Sequence, residues 1–596
     1  MVRVSVLVNY RIDSDGPDFH PKVLQPVALP SGHVMSNSLV KVAMYEHMAP
    51  LFGGLPNAHH LALYNLWSQG GWGMVVTGNV QVSRDHLTLG KDMVVPETIT
   101  SGTLRSYKAL ACAMRPVSER NLSKNEHDVS TPRTLIIMQV SHAGRQSPIL
   151  LGGRSPSVPP LAPSALGLGR GATSGWFARL MYNIGFPTPR VMSLQDIDNV
   201  VSRFVLSAHL AHDAGFDGIE LHASHGCKSS PVSLLSDRSK WPFRPTRSVY
   251  FSQGESLVAC PCPLYSLPYQ SNVRNDAYSA NHAPLYLLQR IVTSIRAVLP
   301  RPFVLGVKLN SSDYVGAGSV RDPRAEEEAE DRAVAHVIDI ARWDMIDFIE
   351  VSGGDYENPG TTSVHNLFHP SKVFAHIVFL PSGRQAFFAR FARKARSAIH
   401  AQISSLRQPL VLLTGGMQSP AIFQDALAKG HADLVGVGRG SVLAPDLPLL
   451  LKEFYARRQK GTPGGGGDVF PFKQPTLSYA ETPLIRVAAS ALRSLGILPL
   501  PSLIGAGTAM AWYIVAMRSL SRGRMVNYQT GGIRAVVQLW LPELQIFAIL
   551  FSCCVACYAS FFMWSHFGNN GVLRSANVLL LLVTRKHNDR GISPST

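Results

Sequence analysis

Charge is scarce in this chain of 596 residues: Asp, Glu, Lys and Arg make up 16% of it, against 46% apolar residues. That balance excludes a disordered polymer, which is poor in apolar and rich in charged side chains. Acid is scarcer still, with 39 Asp and Glu against 56 Lys and Arg and a formal net charge of +17. A basic surplus of that size would suit nucleic acid or anionic lipid. Yet the basic residues are scattered, without zinc-finger spacing, an RNA-binding aromatic signature or a long Lys/Arg block, so no nucleic-acid partner is expected. Cysteine is sparse: seven residues, an odd number without framework spacing. This argues against a disulfide scaffold and for a reducing compartment. No early GxGxxG opens a helix, as a doubly wound dinucleotide fold would require. The first ten residues are only weakly apolar, and Asp13, Asp15 and Asp18 follow at once, so no signal peptide is expected.

What is present is a series of short apolar runs, at 39–45, 73–77, 134–140, 218–222, 303–309, 347–352, 409–414 and 432–438. Each is rich in Val, Ile and Leu without polar alternation, as in parallel strands covered on both faces. Helix-compatible stretches at 197–214, 284–297, 326–342 and 385–398 lie between them. Turn chemistry follows several runs, as in Thr414-Gly415-Gly416 and Gly438-Arg439-Gly440. Strand–helix units in this number predict an α/β fold, a (β/α)8 TIM barrel over 34–455 behind an N-terminal extension of 1–33.

Beyond the barrel, 456–493 reads as a linker with a Gly/Pro-rich centre, and 494–596 as a hydrophobic tail. Within the tail, 494–517 and 544–565 carry no charge and are long enough to cross a bilayer core of about 30 Å. Membrane association through these two runs is therefore expected, with the protein cytosolic or anchored on the cytoplasmic side. The interior stretch 227–270 fits poorly, being far longer than a βα loop of roughly two to six residues.

Catalytic groups of a barrel collect where its strands end. His222 and His225 leave the fourth run three residues apart, so both imidazoles can face the barrel mouth. Two neutral N–H donors there could clamp one carbonyl or phenolate oxygen. A zinc pair and satisfied core histidines are the bland alternatives, and zinc would need a third ligand. Glu220 is read as pointing away from that pair by strand alternation, and no metal is expected. Gly415, Gly416, Gly438 and Arg439 end the seventh and eighth runs, where barrels hold a phosphate on backbone N–H groups. Arg439 adds a fork of donors suited to phosphate. Lys308, inside an apolar run, needs a reason for its burial: a cofactor's electron-rich edge, a Schiff base, or a carboxylate such as Asp313. Gln139 offers both a donor and an acceptor to a planar heterocycle.

These pieces, in this order, resemble the old yellow enzyme family of FMN-dependent NADH:flavin oxidoreductases. The resemblance rests on Asn37 and the run to Tyr45, Val76-Thr77-Gly78-Asn79, the stretch from Met138 to Ser147, and that from Gly215 to Gly226. It resumes at Ser271 and continues through Lys308-Leu309-Asn310, Glu350-Val351-Ser352-Gly353-Gly354, Thr414-Gly415-Gly416 and Gly436-Val437-Gly438-Arg439. It implies FMN as cofactor and NADH or NADPH as reductant. Ala43, Met44 and Tyr45 would lie against the flavin, Gly78 and Gln139 near its ring, and Lys308 by its N1/O2 edge. Gly415, Gly416, Gly438 and Arg439 would hold the phosphate. His222 and His225 would polarise the carbonyl of a small-molecule substrate, an activated alkene that receives hydride.

The chain departs from the family at Cys227, where a proton-donating Tyr usually stands, and at Tyr45, where Thr or Cys is common. Because the pattern stops at Gly226 and resumes at Ser271, 227–270 reads as an unspliced or misannotated piece of gene. The competing expectation is a catalytically impaired flavin-binding relative, inactive because the loop after His225 is disrupted.

Overall fold

Parallel strands buried on both faces send alternate side chains into the barrel and outward beneath the helices. The computed structural model describes residues 21–120, 130–167, 185–223, 227–229, 257–259, 274–279, 283–310, 323–352, 383–417, 419–459, 501–532 and 534–540. Eight strands form the barrel: β1 (Leu39–Lys41), β2 (Met74–Val76), β3 (Leu135–Ser141), β4 (Gly218–Ala223), β5 (Val304–Asn310), β6 (Phe348–Ser352), β7 (Leu410–Thr414) and β8 (Leu434–Val437). Each pairs in parallel with its successor, and β8 returns to β1 with Val435 opposite Leu39. That last pairing closes the sheet and excludes an open doubly wound arrangement.

Alternation sorts the interior by height. Val40, Met74, Leu135, Val304, Phe348, Leu412 and Leu434 form one buried apolar cluster with Val42, Val76 and Ile137. Gly306 makes room for the Phe348 ring, which a Cβ at that position would strike. Val27–Ala28 and Val34–Met35 pair antiparallel, and Leu29 and Met35 join the same cluster. Part of the expected N-terminal extension is thus barrel core.

Three strand starts share one device. Asp217, Asp347 and Asp433 each accept a backbone N–H from the preceding strand, from Ile136, Leu305 and Val411 at 2.8, 2.8 and 2.9 Å. Each also meets arginine: Arg115 and Arg133, Arg296 and Arg301, and Arg396 respectively. Charged hydrogen bonds of this kind exceed neutral ones in strength, so these aspartates fix strand register at the barrel end opposite the candidate site.

The helices are α1 (Ala58–Ser68), α2 (Ser101–Met114), α3 (Leu194–Ala214), α4 (Tyr286–Val298), α5 (Pro323–Arg342), α6 (Gly383–Gln402), α7 (Pro420–Ala428), α8 (Arg439–Leu443), α9 (Leu447–Gln459) and α10 (Pro501–Leu520). α3 starts on a capping box between Ser193 and Asp196 and stops at Gly215, whose φ of 91° suits a residue without a side chain. α9 carries regular structure to Gln459, past the barrel boundary expected at 455.

The tail requires a correction. The 494–517 run was expected to associate with a membrane; its described part instead forms α10, which packs on α1 and α8. Ala511, Trp512, Tyr513, Ile514, Ala516 and Met517 are buried there, so the apolar surface of 511–517 is covered by protein. Among the described residues no helix is long and apolar enough to cross a membrane. The 544–565 run lies outside the described residues. The chain divides into two units, Met1–Gly531 and Gly532–Thr596, and both the barrel and α10 belong to the first.

Candidate active site

One step above the apolar cluster, the inward positions turn polar. Counting by two from Ile137, Gly218, Gly306 and Phe348 gives Gln139, Glu220, Lys308 and Glu350, all buried. Glu220 lies in register with Gln139, and Lys308 with Glu350. The Gln139 amide donates to Glu220, and the Lys308 ammonium sits 2.9 Å from Glu350 Oε1. A further step up β4 is His222, in register with Lys308 and 6% exposed. The Gln139 N–H reaches Thr77 Oγ1 at 3.0 Å, which ties this group to Gly78.

Charge in this group is set by its neighbours. Burial pushes the Glu220 carboxyl well above its usual range, and the Glu350 carboxylate pushes it further. Burial would lower the Lys308 ammonium, but Glu350 and Glu220 outweigh it and hold the value above the ordinary one. The layer therefore holds Lys308 as a charged ammonium in a buried ion pair with Glu350. Lys308 meets a carboxylate, Glu350, while Asp313 lies outside the described residues. One expectation is corrected here. Glu220 faces the same side of β4 as His222, because residues two apart on a strand share a face.

Residues 42–47, which follow β1, wrap the adjacent rim without regular structure. Ala43, Met44 and Tyr45 are each half-buried, so they line the mouth. Tyr45 donates to Asp92 Oδ2 at 3.1 Å, and burial raises that carboxyl to about 6. Glu46 is buried and accepts from the Gly78 N–H at 2.9 Å and from the Tyr64 hydroxyl. Gly78 is required by this close approach: a Cβ there would collide with the Glu46 carboxyl and the Met44 carbonyl. A Cβ on Gly438 would stand 3.6 Å from Val42 and 3.9 Å from Met44. Met44, Gly78 and Gly438 thus form one contiguous rim.

The third part is the β7 turn. Gly415 and Gly416 have φ of 114° and 71°, left-handed backbone that β-carbons disfavour. Thr414 Oγ1 is buried without a hydrogen-bond partner among the described residues. Gly436 opposite is crowded by that same Oγ1, which leaves no room for a side chain. Arg439 is exposed at the first position of α8.

The structure therefore gathers Ala43, Met44, Tyr45, Gly78, Gln139, His222, Lys308, Gly415, Gly416, Gly438 and Arg439 at the strands' C-terminal ends. His225 lies outside the described residues. Sequence reasoning missed Glu220, Glu350, Glu46, Asp92 and Thr414 as members of the site. Counting two back from His222 reveals Glu220; the partners of Lys308 and Tyr45 carry no comparable local signal.

Fold and site together define a barrel enzyme with a polar, cationic mouth. The sequence profile of the NADH:flavin oxidoreductase / NADH oxidase family matches residues 22–227. An NADH-dependent flavin oxidoreductase of Neonectria sp. is 33% identical over 427 residues, covering 71% of this chain and 46% of that protein. The chain therefore spans about half of that relative's length. Another, of Talaromyces variabilis, is 31% identical over 435 residues, covering 72% of this chain and 86% of that protein. The solved structure of morphinone reductase superposes with a TM-score of 0.47 at 16% identity, covering 76% of this chain and 96% of that one. The chain belongs to the NADH:flavin oxidoreductase / NADH oxidase family, whose cofactor is FMN and whose reductant is a nicotinamide.

The residues present fit that cofactor. A flavin ring is planar and apolar on its faces, which suits the half-buried Ala43 and Met44 beside side-chain-free Gly78 and Gly438. Its oxygen-rich edge suits the Lys308 cation, and an anionic phosphate suits the Gly415-Gly416 turn with Arg439 nearby.

Proposed function

We propose that the protein passes hydride from NADH or NADPH, through FMN, to an activated alkene such as an α,β-unsaturated carbonyl compound. The observation that carries this reading is the Lys308 cation, held by Glu350 on the strand beside His222. When bound, FMN supplies the two-electron chemistry, accepting hydride from the nicotinamide and giving it to the alkene's β-carbon.

The chain's own groups bind, orient and polarise. Lys308 offers fixed positive charge where an electron-rich ring edge would lie. Glu350 is the carboxylate that pairs with Lys308, while Glu220 accepts from Gln139 and keeps the Gln139 side chain in place. His222 supplies an imidazole at the mouth, and an N–H from it to the substrate carbonyl draws electron density from the β-carbon. His225 is assigned the same task on the strength of the resemblance. The Gly415-Gly416 turn, Gly438 and Arg439 hold the phosphate end. We assign the protein to the cytosol because its seven cysteines lack disulfide spacing.

A second reading, a flavin-binding but catalytically impaired relative, is favoured by one fact: the match to the family profile ends at residue 227, where the anomalous stretch begins. Cys227–Ser229 pairs antiparallel with Leu257–Ala259, so part of the anomalous stretch folds on itself. One experiment separates the two. A yellow preparation bleached by NADPH or NADH and recoloured by 2-cyclohexenone supports the reductase. A yellow preparation bleached but not recoloured by the enone supports the impaired relative, and colourless protein contradicts both.

A further inference from the structure

The helix that the sequence suggested for a membrane ends on a working contact with the site. α10 lies more than forty residues beyond α9, and its buried face covers α1 and α8. Arg518, in its last turn, donates through Nη2 to the His47 carbonyl and to His47 Nδ1, both at 2.8 Å. His47 has φ of 54°, the left-handed region that a residue with a β-carbon adopts only when its surroundings hold it there. Its Nε2 lies 3.2 Å from the Leu89 carbonyl. Burial, reinforced by the Arg518 charge, lowers the His47 imidazole to about 3, so the ring is neutral. A neutral ring donating from Nε2 to Leu89 keeps an acceptor at Nδ1 for Arg518. Backbone and ring therefore both depend on α10.

His47 closes the segment that begins with Ala43, Met44 and Tyr45. Tyr45 is held by Asp92, Glu46 by Gly78 and Tyr64, and His47 by Arg518. Only the last of these anchors comes from outside the barrel. α10 also reaches the phosphate end, because it packs on α8, which begins at Arg439; burial pushes its Tyr513 phenol up to about 12. One helix thus contacts both ends of the candidate cofactor site.

We propose that α10 is part of the cofactor site and that Arg518 is a positioning residue, setting the 43–47 segment against the flavin by fixing His47. This rests on the FMN reading above. A segment released from its third anchor must be ordered when the ligand binds, and that lowers affinity.

The test is FMN titration of the full-length apoprotein, followed by flavin fluorescence and visible circular dichroism, for wild type, Arg518→Ala, Arg518→Lys and His47→Gly. Arg518→Ala is expected to weaken FMN binding about tenfold and to change the flavin's visible dichroism, as lost preorganisation requires. Arg518→Lys, which keeps a donor to the His47 carbonyl, restores part of the affinity. His47→Gly keeps the carbonyl and the left-handed backbone but loses the ring, and falls between wild type and Arg518→Ala. It also serves as the check should Arg518→Ala fail to fold. If the variants bind FMN within twofold of wild type with unchanged dichroism, the proposal is overturned even where their melting temperatures fall. If wild type itself binds no FMN, the functional reading fails first and takes this one with it.

Discussion

Lys308 and Glu350 face each other across adjacent strands, ammonium to carboxylate at 2.9 Å, with both side chains buried. Glu220 stands beside them, and burial together with Glu350 shifts it toward its protonated form. Replacing Glu350 alone with Gln removes that repulsion, so Glu220 should ionise and take over as counter-ion. Glu350→Gln and Glu220→Gln are each expected to be mild, whereas the double variant leaves a buried ammonium without a carboxylate. Urea unfolding of the four proteins should show a coupling on the order of 1–3 kcal/mol beyond additivity. Additive losses would show that the two carboxylates do not share one role.

Asp217 gives a prediction in acid. Burial alone would raise its carboxyl, but Arg115 and Arg133 overcome it and hold the group at about 2, below the ordinary 3.8. In the folded state the group stays charged where the unfolded chain already binds a proton. Its contribution is therefore complete above about pH 4 and is lost as pH falls toward 2. Asp217→Asn should lower stability near neutrality by roughly 2 kcal/mol. The deficit should shrink as pH drops through that window, followed by thermal melts from pH 6 to 2.

Lys41 gives a rise of the same sign in an alkaline window, though here burial disfavours the charged form. It points outward from β1 beneath α1, 4.0 Å from the Trp67 ring, and its ammonium donates to the Val76 carbonyl at 2.9 Å. Burial lowers it to about 7 from 10.5, despite the opposing pull of Glu46. Between those values the unfolded chain binds a proton that the folded one does not, so this group makes stability rise with pH. Lys41→Met should remove that rise and leave a flatter profile between pH 7 and 10. An unchanged slope would show that Trp67 and Val76 hold the ammonium charged throughout.

The stretch 227–270 gives a prediction about turnover. The resemblance to the family implies a short loop carrying a proton-donating Tyr at this place, and the match to the family profile stops at residue 227. Exchanging the stretch for a short Tyr-containing loop should raise enone reduction by tenfold or more, as a positioned general acid contributes roughly 10²–10⁴-fold. Equal rates at equal FMN content would show that the stretch is neutral to catalysis. Sequencing the transcript gives a second check: a message encoding all of 227–270 contradicts the gene-error reading.

The barrel was legible because its strands are continuous apolar runs of matching length, a pattern that depends only on local sequence. The glycine turns and His222 were legible for the same reason, since they sit where those runs end. Glu220 is legible from alternation, two residues before His222 on the same face, whereas the role of Glu350 is not, because its partner Lys308 is 42 residues away. α10 was misread because an uncharged helix buried against protein and one buried in lipid have the same composition. The packing of α10 on α1 and α8 separates the two, together with the Arg518–His47 contact, which joins residues 471 positions apart.

The most direct test of the central claim is equilibrium titration of the purified apoprotein with FMN, comparing wild type with Lys308→Met. The geometry predicts one FMN per chain for wild type and clearly weaker binding once the cation beside Glu350 is gone. Wild-type protein that is folded yet binds no FMN, or a Lys308→Met variant that binds it as tightly as wild type, would contradict the assignment of this mouth as the flavin site.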